Sequence, residues 1–521
     1  MKLERSKNSA RNFFYGAISK VYNLIIPFLI RTAIIYILGM EYVGLNSLFS
    51  SVLSVLNLAE LGIGSALVFS MYEPLANDDM EKICALMRLY KIYYRIIGLV
   101  ILVLGVSITP FLPHLVKGSL PDGMNLYTLY FLNLGTTVLS YWLFAYKNCL
   151  LSVHQRNDVG EKIGFVINTA KYLGQFLVLF ITKNYYIFLI VGMAFGVVSN
   201  IVTALIVDKM YPKYKTHGKL PKEEVKTINQ RVKDLFTSKI GGIVVDSADT
   251  IVISAFLGLT SLALYQNYFF IMSTVLGFIT LITSSSLAGI GNSIITETEE
   301  KNFNDLKKLT FMFCWIGIFS VCCFACLYQP FMELWVGSEN LLPYSMVITL
   351  CIYFFVKQIN TLLNVYKDAS GIWHQDRFRP LITALTNLAM NLIMVQYWGL
   401  YGILLSTVLS MLFVGMPWLF KNLFTTIFHF SPKKYIFKIL QYAFLAVVLC
   451  AVCVGITYFV TFDSLILTII LRLIICIIIP NAVMFLIYRK APEFRGLLDT
   501  ANSIAGGKLG FLYGVLKIDK A

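Results

Sequence analysis

The sequence predicts an all-α polytopic membrane protein of about 14 transmembrane helices, arranged as two pseudo-symmetric six-helix lobes plus two extra C-terminal helices. Three observations predict it. First, 58% of the 521 residues are hydrophobic and 14% are charged, with a mean hydropathy of +0.73. Soluble domains carry about 45–50% apolar and about 25% charged residues. Second, the apolar excess falls in runs of about 20 residues, the length that crosses a hydrocarbon core. Third, the basic residues alternate with those runs as one topology requires.

Lys2, Arg5, Lys7 and Arg11 precede the first run. That run is too long for a signal h-region and no small-residue cleavage site follows, so it reads as an anchor. The spans lie near 14–38, 43–71, 91–112, 126–150, 162–182 and 185–207, and these six form an N-lobe within 1–207. A basic linker covers 208–236. The C-lobe, 237–421, holds spans near 237–257, 263–291, 309–335, 342–365, 380–397 and 400–420. Spans 13 and 14 occupy 438–460 and 465–488, and 489–521 is a tail.

With the N-terminus cytoplasmic, inner segments hold 35 of the 43 Lys and Arg residues, and outer loops hold only Lys117 and Lys183. A missed or extra span would invert every later loop and destroy that asymmetry. Both termini are therefore expected inside, in a bacterial plasma membrane. The net charge of +15 is spread among the loops and forms no single patch, so nucleic acid is not an expected partner. Glu223 to Phe236 reads as a short amphipathic helix on the inner leaflet. The short outer loops leave no room for a catalytic domain, and no enzymatic activity is expected. Ten cysteines include the CxxC pairs Cys323/Cys326 and Cys450/Cys453. Both pairs sit in apolar runs away from any histidine and read as packed thiols, with no metal site.

The two halves resemble each other at an offset of 220 residues: Tyr146-Lys147-Asn148 matches Tyr366-Lys367-Asp368, His154-Gln155 matches His374-Gln375, and Pro110-Phe111 matches Pro330-Phe331. Leu38-Gly39 and Leu257-Gly258 agree at 219. Six spans separate equivalent positions, so the repeat is parallel, and a ligand path is expected between the lobes. Spans 13 and 14 stand outside it.

An ionisable residue at the bilayer centre costs about 3 kcal/mol on insertion scales, so it needs a partner or a wet cavity. Arg31 lies in span 1, Lys171 in span 5, Lys357 in span 10 and Arg472 in span 14. Polar stripes accompany them. Asn57 and Glu60 are three apart in span 2; Asn168 and Gln175 flank Lys171; Asn360 and Asn364 follow Lys357; Asn387 and Asn391 are four apart in span 11. Asp246 and Asp249 lie three apart in span 7. Such stripes suit a hydrated cavity, and they equally suit structural ion pairs such as Arg31 with Glu60. The cations point to an anionic ligand such as phosphate. Glu60, Asp246 and Asp249 are candidates for binding a coupling ion or for balancing charge.

Several segments carry a family resemblance. Asn57-Leu-Ala-Glu-Leu-Gly-Ile-Gly-Ser-Ala-Leu67 follows a first span that ends in Leu-Gly; Asp249-Thr-Ile-Val-Ile-Ser254, Leu264-Tyr-Gln-Asn-Tyr268, Arg377-Phe-Arg-Pro-Leu381 and Gly399-Leu-Tyr-Gly-Ile403 follow in order. Together they resemble the bacterial Wzx-type oligosaccharide flippases of the multidrug/oligosaccharidyl-lipid/polysaccharide exporter superfamily. The resemblance implies alternating-access transfer of an undecaprenyl-diphosphate-linked oligosaccharide to the outer leaflet for surface polysaccharide biosynthesis. By that analogy Arg31, Lys171, Lys357 and Arg472 would hold the pyrophosphate, with H⁺ or Na⁺ as coupling ion and no cofactor. It also implies membrane lipid, a polysaccharide polymerase and the pathway's glycosyltransferases as partners. A lipid II flippase and a cation-coupled multidrug exporter share the superfamily. A membrane glycosyltransferase or polymerase would need a larger extramembrane loop than any here.

Overall fold

A computed structural model of the protein describes residues 5–118, 120–504, 507, 508, 510 and 513, and every regular element among them is helical. Twelve helices are long and apolar enough to cross a membrane. Spans 1 and 4 complete the fourteen. Span 1 is the helix Arg5–Ile37, whose described apolar stretch is Val21–Ile37. Span 4 is cut short after Leu126–Trp142 by Phe144, which sits in the left-handed region at φ 60°. The chain then continues as a tight turn, Ala145–Lys147, and a short helix, Asn148–Val153. The protein is a multi-pass membrane protein.

Span 2 is also discontinuous. It runs Met40–Leu56, tightens into a 3₁₀ turn at Asn57–Glu60, and restarts as Ile63–Ala76. Gly62 supplies the break at φ 88°, and a Cβ there would lie 2.6 Å from that of Leu235. The remaining spans run Met80–Ile108 (3), Asn157–Thr182 (5), Tyr185–Met210 (6), Lys222–Leu257 (7), Leu259–Thr296 (8), Glu299–Val336 (9), Tyr344–Ala369 (10), Arg379–Trp398 (11), Leu400–Thr426 (12), Lys433–Tyr458 (13) and Leu465–Tyr488 (14). Side chains cap several starts: Asp79 accepts from the Lys82 amide, Asn184 from those of Tyr186 and Ile187, and Thr298 from that of Lys301. Span 12 contains a π-helical turn, Met411–Gly415.

The chain divides into two compact units, Met1–Ala263 and Leu264–Ala521. In the first, span 1 packs on span 5, span 2 on span 7, span 3 on span 4, and span 6 on spans 4 and 5. Span 7 thus belongs to the first unit, although its sequence position opens the second repeat. In the second unit, span 9 is the central element, with spans 10, 13 and 14 against it. It is correspondingly buried, from Leu306 and Phe311 to Met332. Span 13 leaves Phe437, Leu440, Phe444 and Val447 exposed at i, i+3, i+7 and i+10. A stripe of that size and spacing faces lipid.

The region 222–236 is not a separate surface helix. It is the start of span 7, one continuous helix from Lys222. Its polar residues bind protein: Lys82 pairs with Glu224 at 3.1 Å and Tyr93 donates to Asn229 at 2.6 Å. Just before it, the Gly218 carbonyl accepts from Arg88 at 2.8 Å. These contacts, with the close approach at Gly62, hold the segment on spans 2 and 3.

The repeat is visible in backbone detail. Gly39 and Gly258 end spans 1 and 7 with φ/ψ of 122°/166° and 90°/174°, a region essentially confined to glycine. Lys147 pairs with Asp208, and Lys367 with Asp368 at 2.5 Å. Elsewhere the copies diverge. His154 is buried and stacks on Tyr211 at 4.2 Å, whereas His374 is exposed.

Candidate functional site

The break in span 2 builds a polar junction inside the first unit. A 3₁₀ turn exposes backbone and changes which way its side chains project; here it carries Asn57 and Glu60. Tyr94 of span 3 donates to Glu60 Oε1 at 2.6 Å, and Tyr141, on the last turn of span 4 before its own break, donates to Oε2 at 2.7 Å. Tyr141 also lies 3.4 Å from Asn57 Oδ1, and Tyr90 sits 3.1 Å from the Tyr94 hydroxyl. The Tyr90 and Tyr94 rings meet edge-on at 4.6 Å, and Tyr94 and Tyr141 at 5.5 Å. Phenols therefore occupy both carboxylate oxygens, and the pairing of Glu60 with Arg31 is not what holds it. A half-buried carboxylate accepting two O–H donors is a strong, directional arrangement. The sequence gave no sign of the three tyrosines, because tyrosine is common throughout this chain (30 in all).

Arg31 and Lys171 also lie in the first unit, on spans 1 and 5, which pack together. Tyr22 and Thr169 bond across that seam at 3.0 Å. Arg31, Asn168 and Lys171 are half-buried, and the Lys171 ammonium stands 4.2 Å from the Tyr172 ring centroid. Gln175 departs from the expected cavity wall. It is buried and donates to the Phe188 carbonyl at 3.2 Å, tying span 5 to span 6. Asp249 is buried in span 7 among Ser247, Thr250 and Ser254. The side chain of Asp246 lies outside the described residues.

In the second unit a polar column runs down span 10. Lys357 is half-buried. One turn on, Asn360 donates to Met411 Sδ at 3.6 Å, at the mouth of the π turn in span 12. Asn364 donates to the Asn360 side chain at 3.0 Å and accepts from Arg379 at 2.7 Å. Arg379 grips Asp376 through two bonds of 2.6 and 2.8 Å, and Asn422 and Lys367 complete the set at 3.1 and 3.8 Å. Asn360 and Asn364 are thus joined to a buried ion-pair network that hydropathy alone does not disclose. Its Arg379 belongs to the Arg377-Phe-Arg-Pro-Leu381 segment singled out in the sequence.

Two further expectations are corrected. Asn387 and Asn391 are wholly buried and line no cavity; Asn387 donates to Thr407 at 2.9 Å and Asn391 accepts from Ser406, so they bind span 11 to span 12. Amide–hydroxyl pairs of this kind are the usual polar glue between membrane helices. Arg472 donates to the Val460 carbonyl at 3.0 Å and to the Cys326 carbonyl at 3.2 Å. Its guanidinium clamps span 14 to span 9 and to the end of span 13, separate from the span 10 column. An apolar groove of about 540 Å³ lies between spans 12 and 13, walled by Phe420, Phe424, Phe430 and Ile436 with Lys421 at its edge. Its lining suits a hydrocarbon chain and offers the polar column nothing.

No family model matches the sequence, and no curated protein matches it either. Solved structures do. The chain is similar to the lipid II flippase MurJ in an inward closed conformation, with a TM-score of 0.64, 16% identity, and 92% of this chain and 99% of that one covered. It is similar to an inward-facing multidrug resistance MATE family transporter of the MOP superfamily, with a TM-score of 0.61, 15% identity, and 78% and 97% covered. A Vibrio cholerae MATE transporter, VcmN, gives a TM-score of 0.55 at 13% identity, with 82% and 99% covered. These likenesses establish the fold as the one shared by flippases and exporters of that superfamily.

Proposed function

We propose that this protein is a flippase that carries an undecaprenyl-diphosphate-linked oligosaccharide from the cytoplasmic to the outer leaflet of a bacterial plasma membrane by alternating access. One observation carries the reading: the fold likeness to a lipid II flippase takes in 92% of the chain, against 78% for a MATE transporter. Spans 13 and 14, outside the six-plus-six repeat, are what a flippase-like length adds. Fold alone does not fix a substrate. The half-buried cations Arg31, Lys171 and Lys357 support an anionic one, and Arg472 drops out because backbone carbonyls engage it. A diphosphate of charge near −2 leaving an inside-negative cell gains roughly 2.3 kcal/mol per charge per 100 mV. Glu60, held ready by two phenols, is the group we assign to H⁺ or Na⁺ coupling.

The test is reconstitution. Purified protein in vesicles should expose a fluorescent lipid-diphosphate oligosaccharide to a membrane-impermeant quencher faster than protein-free vesicles do. Arg31→Ala, Lys171→Ala and Lys357→Ala should each slow it. Equal rates with and without protein refute the proposal. Transfer of lipid II with no transfer of the oligosaccharide establishes the second reading, which the named likeness favours.

A further inference from the structure

The seam that fastens spans 13 and 14 to the rest of the second unit is rich in sulfur. Cys322, Cys323 and Cys326 lie on span 9, Cys450 and Cys453 on span 13, and Cys476 on span 14, all as free thiols. The sequence presents these as two CxxC pairs, each within one helix. Packing regroups them across helices. The Cys322 thiol interacts with that of Cys453; Cys453 interacts in turn with Cys476; and Cys476 reaches Cys323 and Cys326. Cys476 also donates to the Cys322 carbonyl at 3.6 Å. Cys322, Cys326, Cys453 and Cys476 are buried, and Cys323 and Cys450 are half-buried.

Two kinds of chemistry suit such a cluster, coordination of a soft cation and oxidation. Among the described residues no three or more ligating side chains are arranged to hold a metal ion. The thiols touch pairwise along a chain and do not converge on a point, and pairwise contact is what a disulfide needs. Bonds within a CxxC pair would join consecutive turns of one helix and change nothing between helices. The Cys322–Cys453 contact instead spans two helices, and Cys453 is its hub.

We propose that Cys322 and Cys453 are an oxidation site in which a lipid-soluble hydroperoxide closes a disulfide between span 9 and span 13. The step balances. The Cys453 sulfur attacks the peroxide, its S–H proton leaves, the O–O bond breaks, and sulfenic acid and an alcohol form. The Cys322 sulfur then displaces the hydroxyl, which departs as water, and the S–S bond forms. Two thiols are oxidised by two electrons and one hydroperoxide is reduced. The oxidant arrives through lipid, since Val452 and Ile456 beside Cys453 are exposed on the outer face of span 13. Arg472, one turn before Cys476 and bonded to the Cys326 carbonyl at 3.2 Å, places a cation beside the sulfur anion through which the attack passes.

A protease site inserted between spans 12 and 13, within 427–432, tests the bridge in the full-length protein. The protein in lipid nanodiscs is treated with cumene hydroperoxide, cleaved, and run on a denaturing gel without reductant. The expected result is that the two fragments stay joined, separate on adding dithiothreitol, and account for two of the ten thiols. Cys322→Ala and Cys453→Ala should each release the fragments, while Cys84→Ala, in the first unit, should not. The proposal is overturned if the fragments separate after thiols have been lost, which places the bond between spans 13 and 14. It is equally overturned if no thiol is consumed. The wild-type readout does not depend on any variant folding.

Discussion

Glu60 shows what a single side chain contributes at membrane depth. Removing the Tyr141 hydroxyl deletes one of two O–H donors to a carboxylate and should cost about 1.5–3 kcal/mol. A lower melting temperature of Tyr141→Phe in detergent checks this, with the exposed Tyr397→Phe as an unchanged control. Asp376 carries a larger load, because Arg379 and Lys367 are both buried beside it. Asp376→Ala leaves them short of a counter-charge and should destabilise by about 3–5 kcal/mol; adding Arg379→Met should recover part of the loss. His154 gives a pH signature. Burial holds its imidazole below the ordinary value of 6.5, so the folded form keeps it neutral while the unfolded chain takes up a proton. The unfolded state then binds more protons, and this contribution to stability is present above pH 6.5 and lost as pH falls below it. A thermal-melt series from pH 7.5 to 5.5 should decline less steeply in His154→Phe, which keeps the stacking on Tyr211. Helical spacing found Asn57 with Glu60 and Asn360 with Asn364, because i, i+3 and i, i+4 neighbours share a face. It could not say what lies opposite that face, which is why Asn387 and Asn391 read as cavity lining and are packing.

At the scale of elements, hydropathy and charge placed all fourteen spans but none of the breaks inside them. The 3₁₀ turn at Asn57–Glu60 is set by Gly62 and its neighbour Leu235, and the cut in span 4 by a left-handed phenylalanine. Neither leaves a mark in a 20-residue average. The linker was misread for a related reason: a polar helical stripe looks the same whether it faces headgroups or another helix. The two span-ending glycines make a graded prediction. At Gly39 a Cβ meets nothing within 4 Å, so Gly39→Ala bears only backbone strain, about 1–3 kcal/mol. At Gly258 the same strain is joined by a contact of 2.9 Å with the Lys117 carbonyl. Gly258→Ala should therefore lower the melting temperature more than Gly39→Ala.

For the molecule as a whole, the parallel repeat was legible because a few residues at fixed offset occupy equivalent turns, and Gly39 and Gly258 share a conformation that other residues avoid. The site was less legible, since the acid and its three tyrosines come from three different spans. Orientation is testable directly. A cysteine introduced at 212–230 should react with an impermeant maleimide only after the inner face is opened; labelling of intact cells would reverse the topology. The continuity of span 7 has a mechanical consequence. Thirty-six residues at 1.5 Å each make a rod about 54 Å long, and its first turns, around Glu224 and Asn229, stand clear of the apolar section that holds Asp249. A soluble protein or antibody fragment that pulls on those first turns has a lever in hand, and the torque it applies is felt deep in the bilayer without any ligand having entered.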